Sequence, residues 1–163
     1  MASRISKNSW RFHSADELRA WGKGFGARLA QGDVIALTGP LGAGKTTLVQ
    51  GIVAGLGYAR PANSPKFALA NEYKTPKSNV YHMDMYRLSP AELDAFPLED
   101  YFSGGICLIE WGDRVRSRWP EGTLELRLSA GTPATRLLQL KNADTRWKKR
   151  LRVAAASTER KRR

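Results

Sequence analysis

The run Gly39-Pro40-Leu41-Gly42-Ala43-Gly44-Lys45-Thr46 fits the spacing G-x-x-x-x-G-K-[ST]. Each residue type in it suits the handling of phosphate. Glycines let backbone N–H groups converge on phosphate oxygens without a side chain in the way, and a following helix adds its N-terminal dipole. Lys45 reaches the outer phosphates of a nucleotide, and Thr46 offers a hydroxyl to magnesium. The motif therefore predicts a P-loop that takes ATP with Mg2+.

Holding phosphates is not yet chemistry, because cleavage also needs carboxylates near the metal and a group that positions the nucleophile. Two acids stand where such groups are needed. Glu110 closes the apolar run Ile106 to Ile109, and Asp84 follows a strand candidate in His82-Met83-Asp84-Met85-Tyr86-Arg87. A carboxylate at the C-terminal end of a strand beside the P-loop strand faces the ligand edge of an α/β sheet. Lys45, Asp84 and Glu110 are thus the candidate catalytic residues, with Thr46, Glu110 and Asp84 as candidate metal ligands.

The surrounding elements must place these groups. Val34 to Thr38 is a short apolar run suited to a buried parallel strand, and a helical pattern from Thr46 to Leu56 follows the loop, with Gly57 as its C-cap. Upstream, Ser14-Ala15-Asp16-Glu17 has capping-box spacing, and Leu18, Trp21, Phe25 and Leu29 recur at helical intervals. Phe67 to Tyr73 and Asn79 to Met83 read as extended segments, and residues 89–102 read as helix and loop. Leu124, Leu126 and Leu128 alternate with polar residues, as do Leu138 and Leu140 beyond a Gly131-Thr132-Pro133 turn, so an antiparallel hairpin is expected there. The predicted fold class is α/β: a P-loop NTPase fold with a mixed, mainly parallel sheet flanked by helices and a C-terminal antiparallel hairpin.

At 163 residues the chain has room for one domain, and its 42% hydrophobic content suffices for a core. Residues 1–13 read as a flexible lead-in without the apolar run of a secretory signal, 14–141 as the ATPase domain and 142–163 as a basic tail. No run approaches the ~20 apolar residues of a membrane span, so a soluble protein is expected, and the lack of a secretory signal points to the cytoplasm. Cys107 lies in an apolar run and reads as core packing. The net charge of +12 favours an acidic partner, and residues 141–163 alone supply +8, with ten Lys or Arg against Asp144 and Glu159. This stretch suits a basic helix from about Ala143 to Ala156, read as a solvated extension or as an RNA contact. Arg114, Arg116 and Arg118 read as a solvated face or as a contact for phosphate or a partner, His82 as a packed or hydrogen-bonded side chain, and His13 as a surface residue.

Five segments together resemble one family. They are the P-loop with Thr46-Thr47, Ser64-Pro65-x-Phe67, Tyr81-His82-x-Asp84-x-Tyr86-Arg87-Leu88, Asp100-Tyr101-Phe102 and Ile109-Glu110-Trp111. In order and spacing they are similar to the TsaE family, bacterial ATPases of threonylcarbamoyladenosine synthesis. The resemblance covers about residues 14–140. It implies ATP hydrolysis with Mg2+ and assembly with the TsaB and TsaD proteins, which act on adenosine 37 of tRNAs reading codons that begin with A. It also implies phosphate contacts from Gly42, Ala43, Gly44, Lys45, Thr46 and Thr47, magnesium ligation by Thr46 and Glu110, and a further acid near the metal in Asp84. Trp111 beside the acid is placed to cover the nucleotide site or a partner surface, with core packing as the other reading. Arg136 aligns loosely with a family arginine near the last strand.

The chain departs from that pattern at Lys66, where the family usually has threonine after Ser-Pro. An ammonium cannot donate a hydroxyl oxygen to magnesium, so slower turnover with ATP binding retained is expected. Two other functions are open on the residues alone. One is a small-molecule kinase, for which Arg114 to Arg118 is the candidate lid; the other is a nucleotide-dependent binding module with little hydrolysis, which Lys66 favours.

Overall fold

The computed structural model describes residues 2–65, 69–132 and 134–151. In chain order the strands are β1 (Ser3–Ser6), β2 (Ser9–Phe12), β3 (Val34–Thr38), β4 (Ala70–Lys74), β5 (Asn79–Asp84), β6 (Ile106–Glu110), β7 (Leu124–Ala130) and β8 (Arg136–Lys141). The helices are α1 (Ala15–Gly26), α2 (Lys45–Gly55), α3 (Pro90–Ala95) and α4 (Glu99–Phe102), with a 3-10 segment at Gly112–Arg118. One sheet holds all the strands in the order β1-β2-β8-β7-β3-β6-β5-β4. Its centre, β7-β3-β6-β5, is parallel, and the outer pairings are antiparallel. β7 and β8 form the expected hairpin.

Continuous apolar sequence goes to the centre. Every residue of β3 and β6 is buried, as parallel strands covered on both faces require. The core lies in two layers. On one face α1 and α2 pack Leu18, Phe25, Leu48 and Ile52 against β3, β7 and β8; on the other, Met83, Met85, Leu93, Phe96 and Leu98 cover Cys107 and Ile109. The helices α1 and α2 approach through small residues, for a Cβ on Gly26 would lie 2.1 Å from the Ile52 carbonyl oxygen. The Ser14 hydroxyl accepts from the Glu17 amide at 3.1 Å, while the Glu17 carboxylate reaches one residue further back, to the His13 amide at 2.8 Å. The reciprocal capping box forms instead at Ser89 and Glu92, opening α3. Burial pushes the Cys107 thiol up to about 12, which suits a packing role.

Both ends of the chain depart from expectation. Residues 1–13, expected as a flexible lead-in, contain a hairpin that extends the sheet, with β2 antiparallel to β8. Trp10 and Phe12 alternate with Ser9 and Arg11, which sends both rings to the α1 side; Phe12 is fully buried, and Trp10 lies 5.2 Å from Trp21. Residues 142–163, expected as a tail outside the domain, begin inside it. Residues 145–151 are helical, and Asp144 caps them by accepting from the Trp147 amide at 2.9 Å. Trp147 is fully buried, stacked on Phe25 at 6.3 Å with its indole N–H donating to Gly122 at 2.7 Å. Arg150 pairs with buried Asp33. The rest of the expected helix, to Ala156, lies outside the described residues. Among the described residues no helix is long and apolar enough to cross a membrane.

The buried Glu125 on β7 carries the clearest electrostatic signature of the core. Burial pushes its carboxyl up, but hydrogen bonds from Arg116, Thr38 and Arg127 outweigh that and hold it at about 2. A carboxyl depressed on folding adds stability above its unfolded value, near 4.5, and loses it as pH falls toward 2. Thermal midpoints measured across that window are expected to fall with pH in the native chain. In Glu125→Gln the midpoint is expected to be lower at neutral pH and to change less across the window.

Candidate functional site

Three neighbouring strands deliver the candidate residues to one edge of the sheet. In the parallel register Leu37 on β3 is level with Glu110 on β6, and Glu110 is level with Asp84 on β5. Past Thr38 the chain turns through Gly39 to Gly44 into α2, so strand, loop and helix follow as the motif requires. Gly44 caps α2 at φ 104°, a left-handed conformation that glycine adopts without cost, and a Cβ there would press on Leu18 at 2.9 Å.

Within the loop the Lys45 ammonium donates to the carbonyls of Gly39 at 2.7 Å and Pro40 at 2.8 Å. It lies 4.2 Å from the centre of the Trp111 ring, a cation–π distance. Lys45 is only 5% exposed. Burial pulls its ammonium below the usual lysine range, with Glu110, Asp84 and Asp113 acting the other way. A buried cation held by neutral carbonyls, with carboxylates nearby, is ready to exchange those carbonyls for phosphate oxygens.

Glu110 is the hub of a buried network. Its two carboxylate oxygens each lie 3.1 Å from the Thr46 hydroxyl, and Oε1 is 2.8 Å from His82 Nε2. A carboxylate accepts, so Nε2 and the Thr46 hydroxyl donate. The Thr46 oxygen is also 3.1 Å from Ser64 Oγ. Behind His82, Nδ1 is 3.4 Å from the Tyr73 hydroxyl, which donates to the Asn63 carbonyl at 2.8 Å; burial pushes the Tyr73 phenol up and keeps that proton in place. The loop carrying Ser64 is thereby tied to the strands carrying His82 and Glu110.

Asp84 is half-buried and accepts from the Tyr86 amide at 2.9 Å, forming an Asx turn that ends β5. Arg114 clamps the turn from below by donating to the carbonyls of Met85, Tyr86 and Leu88. Arg114 and Arg116 are exposed, as a solvated face requires, but all three arginines are also bonded within the domain: Arg116 binds Glu125, and half-buried Arg118 binds Glu99 and the carbonyls of Leu93 and Phe96. Trp111 sits at φ 54° and ψ 38°, an unusual conformation for a bulky residue that costs about 1–3 kcal/mol. There it lays its ring against Lys45 and against Tyr86 at 4.7 Å.

Lys45, Thr46, Glu110, Asp84 and Trp111 are thus brought together. Gly42, Ala43 and Thr47 lie in the same loop and first helical turn. Arg136 opens β8 on this edge but is separated from β3 by β7, and it donates to the Thr135 carbonyl at 3.1 Å. Lys66 lies outside the described residues. Ser64 and Tyr73 do not stand out for their side chains in the sequence, and His82 reads there only as packed or hydrogen-bonded. Their signal is the strand alternation that puts His82 and Asp84 on one face, and the Ser-Pro placed before β4.

The donor set fits magnesium: a hydroxyl and carboxylates, all oxygen, at the N-terminus of a helix. Fold and site together define a P-loop protein. The family model "Threonylcarbamoyl adenosine biosynthesis protein TsaE" matches residues 12–138, and the chain belongs to that family. It is 40% identical over 118 residues to the TsaE protein of Bacillus subtilis, covering 72% of this chain and 74% of that one. Against TsaE of Nostoc the identity is 42% over 120 residues, covering 71% and 74%. The crystal structure of YdiB from Bacillus subtilis superposes with a TM-score of 0.78 at 29% identity, covering 97% of this chain and 98% of that one.

Proposed function

We propose that this chain is a magnesium-dependent ATPase required for threonylcarbamoylation of adenosine 37 in tRNAs reading codons that begin with A, acting with TsaB and TsaD. The observation that carries this reading is the contact of the Thr46 hydroxyl with Glu110, beside a buried Lys45 at the start of α2. Thr46 and Glu110 would hold magnesium, which would supply positive charge to the outer phosphates. The backbone amides of Gly42 to Thr47 bind phosphate oxygens, and Lys45 leaves its carbonyls to pair with the terminal phosphate. His82 holds the Glu110 carboxylate in place. Asp84, facing the same space from β5, orients the water that cleaves the terminal phosphoanhydride to give ADP and phosphate.

The kinase reading loses its candidate lid, because Arg114, Arg116 and Arg118 are each bonded within the domain. Lys66 supports slow turnover. Lys66→Thr is expected to hydrolyse ATP several-fold faster than the native chain at similar ATP affinity; an unchanged or lower rate overturns that expectation. The reading as a whole is tested by ATP hydrolysis with magnesium, alone and with TsaB and TsaD, using Lys45→Ala as the blank. Turnover that rises with the partners and vanishes in the blank supports it. Tight ATP binding without turnover in either mixture favours the nucleotide-dependent binding module.

A further inference from the structure

Away from the P-loop, a groove of about 540 Å³ opens between the N-terminal hairpin, α1 and residues 143–151. It lies toward the opposite edge of the sheet: Leu18, early in α1, touches the P-loop, whereas Phe25 and Arg28, at and beyond the end of that helix, line the groove. Its walls are aromatic. Trp10 and Trp21 are both half-buried, with ring centres 5.2 Å apart at 56°, and Trp21 stacks flat on Phe25. Its rim is cationic, with Arg4, Lys7, Arg28 and Lys148 and no lining aspartate or glutamate among the described residues.

Arg28 is the telling side chain. Half-buried, it donates to the Gly24 carbonyl at 2.8 Å, and loss of hydration pulls its guanidinium down without a carboxylate to offset it. A desolvated cation beside planar apolar walls calls for an anion that also carries a flat apolar part. The chain's net charge of +12 argues against a second copy. We infer that this groove binds a single-stranded segment of RNA, one base lodged against Trp10 and Trp21 and the flanking phosphates on Lys7, Arg28 and Lys148. Stacking on aromatic rings with cations tracking the backbone is how single strands are held without strict sequence preference. The volume also suits a nucleotide-sized group.

The test is a titration of the full chain with a mixed-sequence 12-nucleotide oligoribonucleotide, followed by anisotropy and by tryptophan fluorescence at several salt concentrations. It uses neither ATP nor partner proteins, so its outcome is separate from that of the ATPase reading. Binding is expected to quench fluorescence, and Trp10→Phe/Trp21→Phe is expected to lose most of the quenching. The triple variant Lys7→Glu/Arg28→Glu/Lys148→Glu is expected to bind about tenfold or more weakly, with a salt slope about 2 smaller, since each phosphate that is no longer neutralised takes roughly 0.7 from the slope. ATP affinity and thermal midpoint serve as controls for folding. Unchanged affinity and slope in the triple variant, or unchanged quenching in the double variant, overturns the proposal. So does an acidic peptide of equal charge that binds as tightly as the RNA and is equally sensitive to the triple variant; the groove would then be a protein-docking surface.

Discussion

Lys45→Ala is expected to weaken ATP binding by about 10- to 10²-fold, because a hydrogen bond to a charged group is worth about 1.5–3 kcal/mol and each 1.4 kcal/mol is tenfold. The effect is large for a reason visible in the site. Lys45 is buried against the carbonyls of Gly39 and Pro40 and the face of Trp111, so the desolvation of its ammonium is already met before nucleotide arrives. Alanine removes the charge and leaves neutral groups facing the terminal phosphate. Turnover is expected to vanish with it. Calorimetric titration of ATP into the variant checks the affinity, and retention of wild-type affinity would refute the phosphate role of Lys45. The fold is expected to survive, since the packing of α2 on α1 runs through Leu48 and Ile52 rather than through this side chain.

Glu110→Gln is expected to lower the single-turnover rate by about 10²-fold or more, by analogy with the removal of one preorganised electrostatic group from an active site. The amide keeps the shape of the side chain, so contacts with Thr46 and His82 can be rebuilt, but it brings no negative charge to the metal. The thermal midpoint should therefore change little. Glu110→Ala differs in kind, because His82 is fully buried and its Nε2 would be left without a partner. That loss is expected to cost about 1–3 kcal/mol in addition to activity. Rapid-mix hydrolysis and thermal unfolding of both variants separate charge from support. Equal destabilisation of the two would mean that Glu110 is structural.

Legible in the sequence is what is local. The P-loop, its strand and its helix follow one another along the chain, and Glu110 announces itself by ending an apolar run. His82 does not rank above a packed residue on sequence alone, since the carboxylate it holds is 28 positions away and only the register of β5 with β6 brings them together. The bonds that Arg114 and Arg118 make are not visible in the sequence because their partners include backbone carbonyls, which leave no trace in residue types. The N-terminal hairpin escapes a reading of hydrophobic pattern because β1 is exposed throughout and polar along much of its length, so its strand character comes from pairing. Trp147 is hidden inside a run of lysines and arginines whose charge suggests solvent. In that setting a lone tryptophan is the signal.

The pairing of β2 with β8 has a consequence for how the protein is made. Residues 9–12 are made well before the strand they join, Arg136–Lys141, and Trp147 follows later still. Contacts of such wide sequence separation slow folding and leave strand edges open meanwhile. The sheet therefore cannot close at this edge until Arg136–Lys141 has been made, and until then the P-loop sits in a sheet that lacks its β2-β8 pairing.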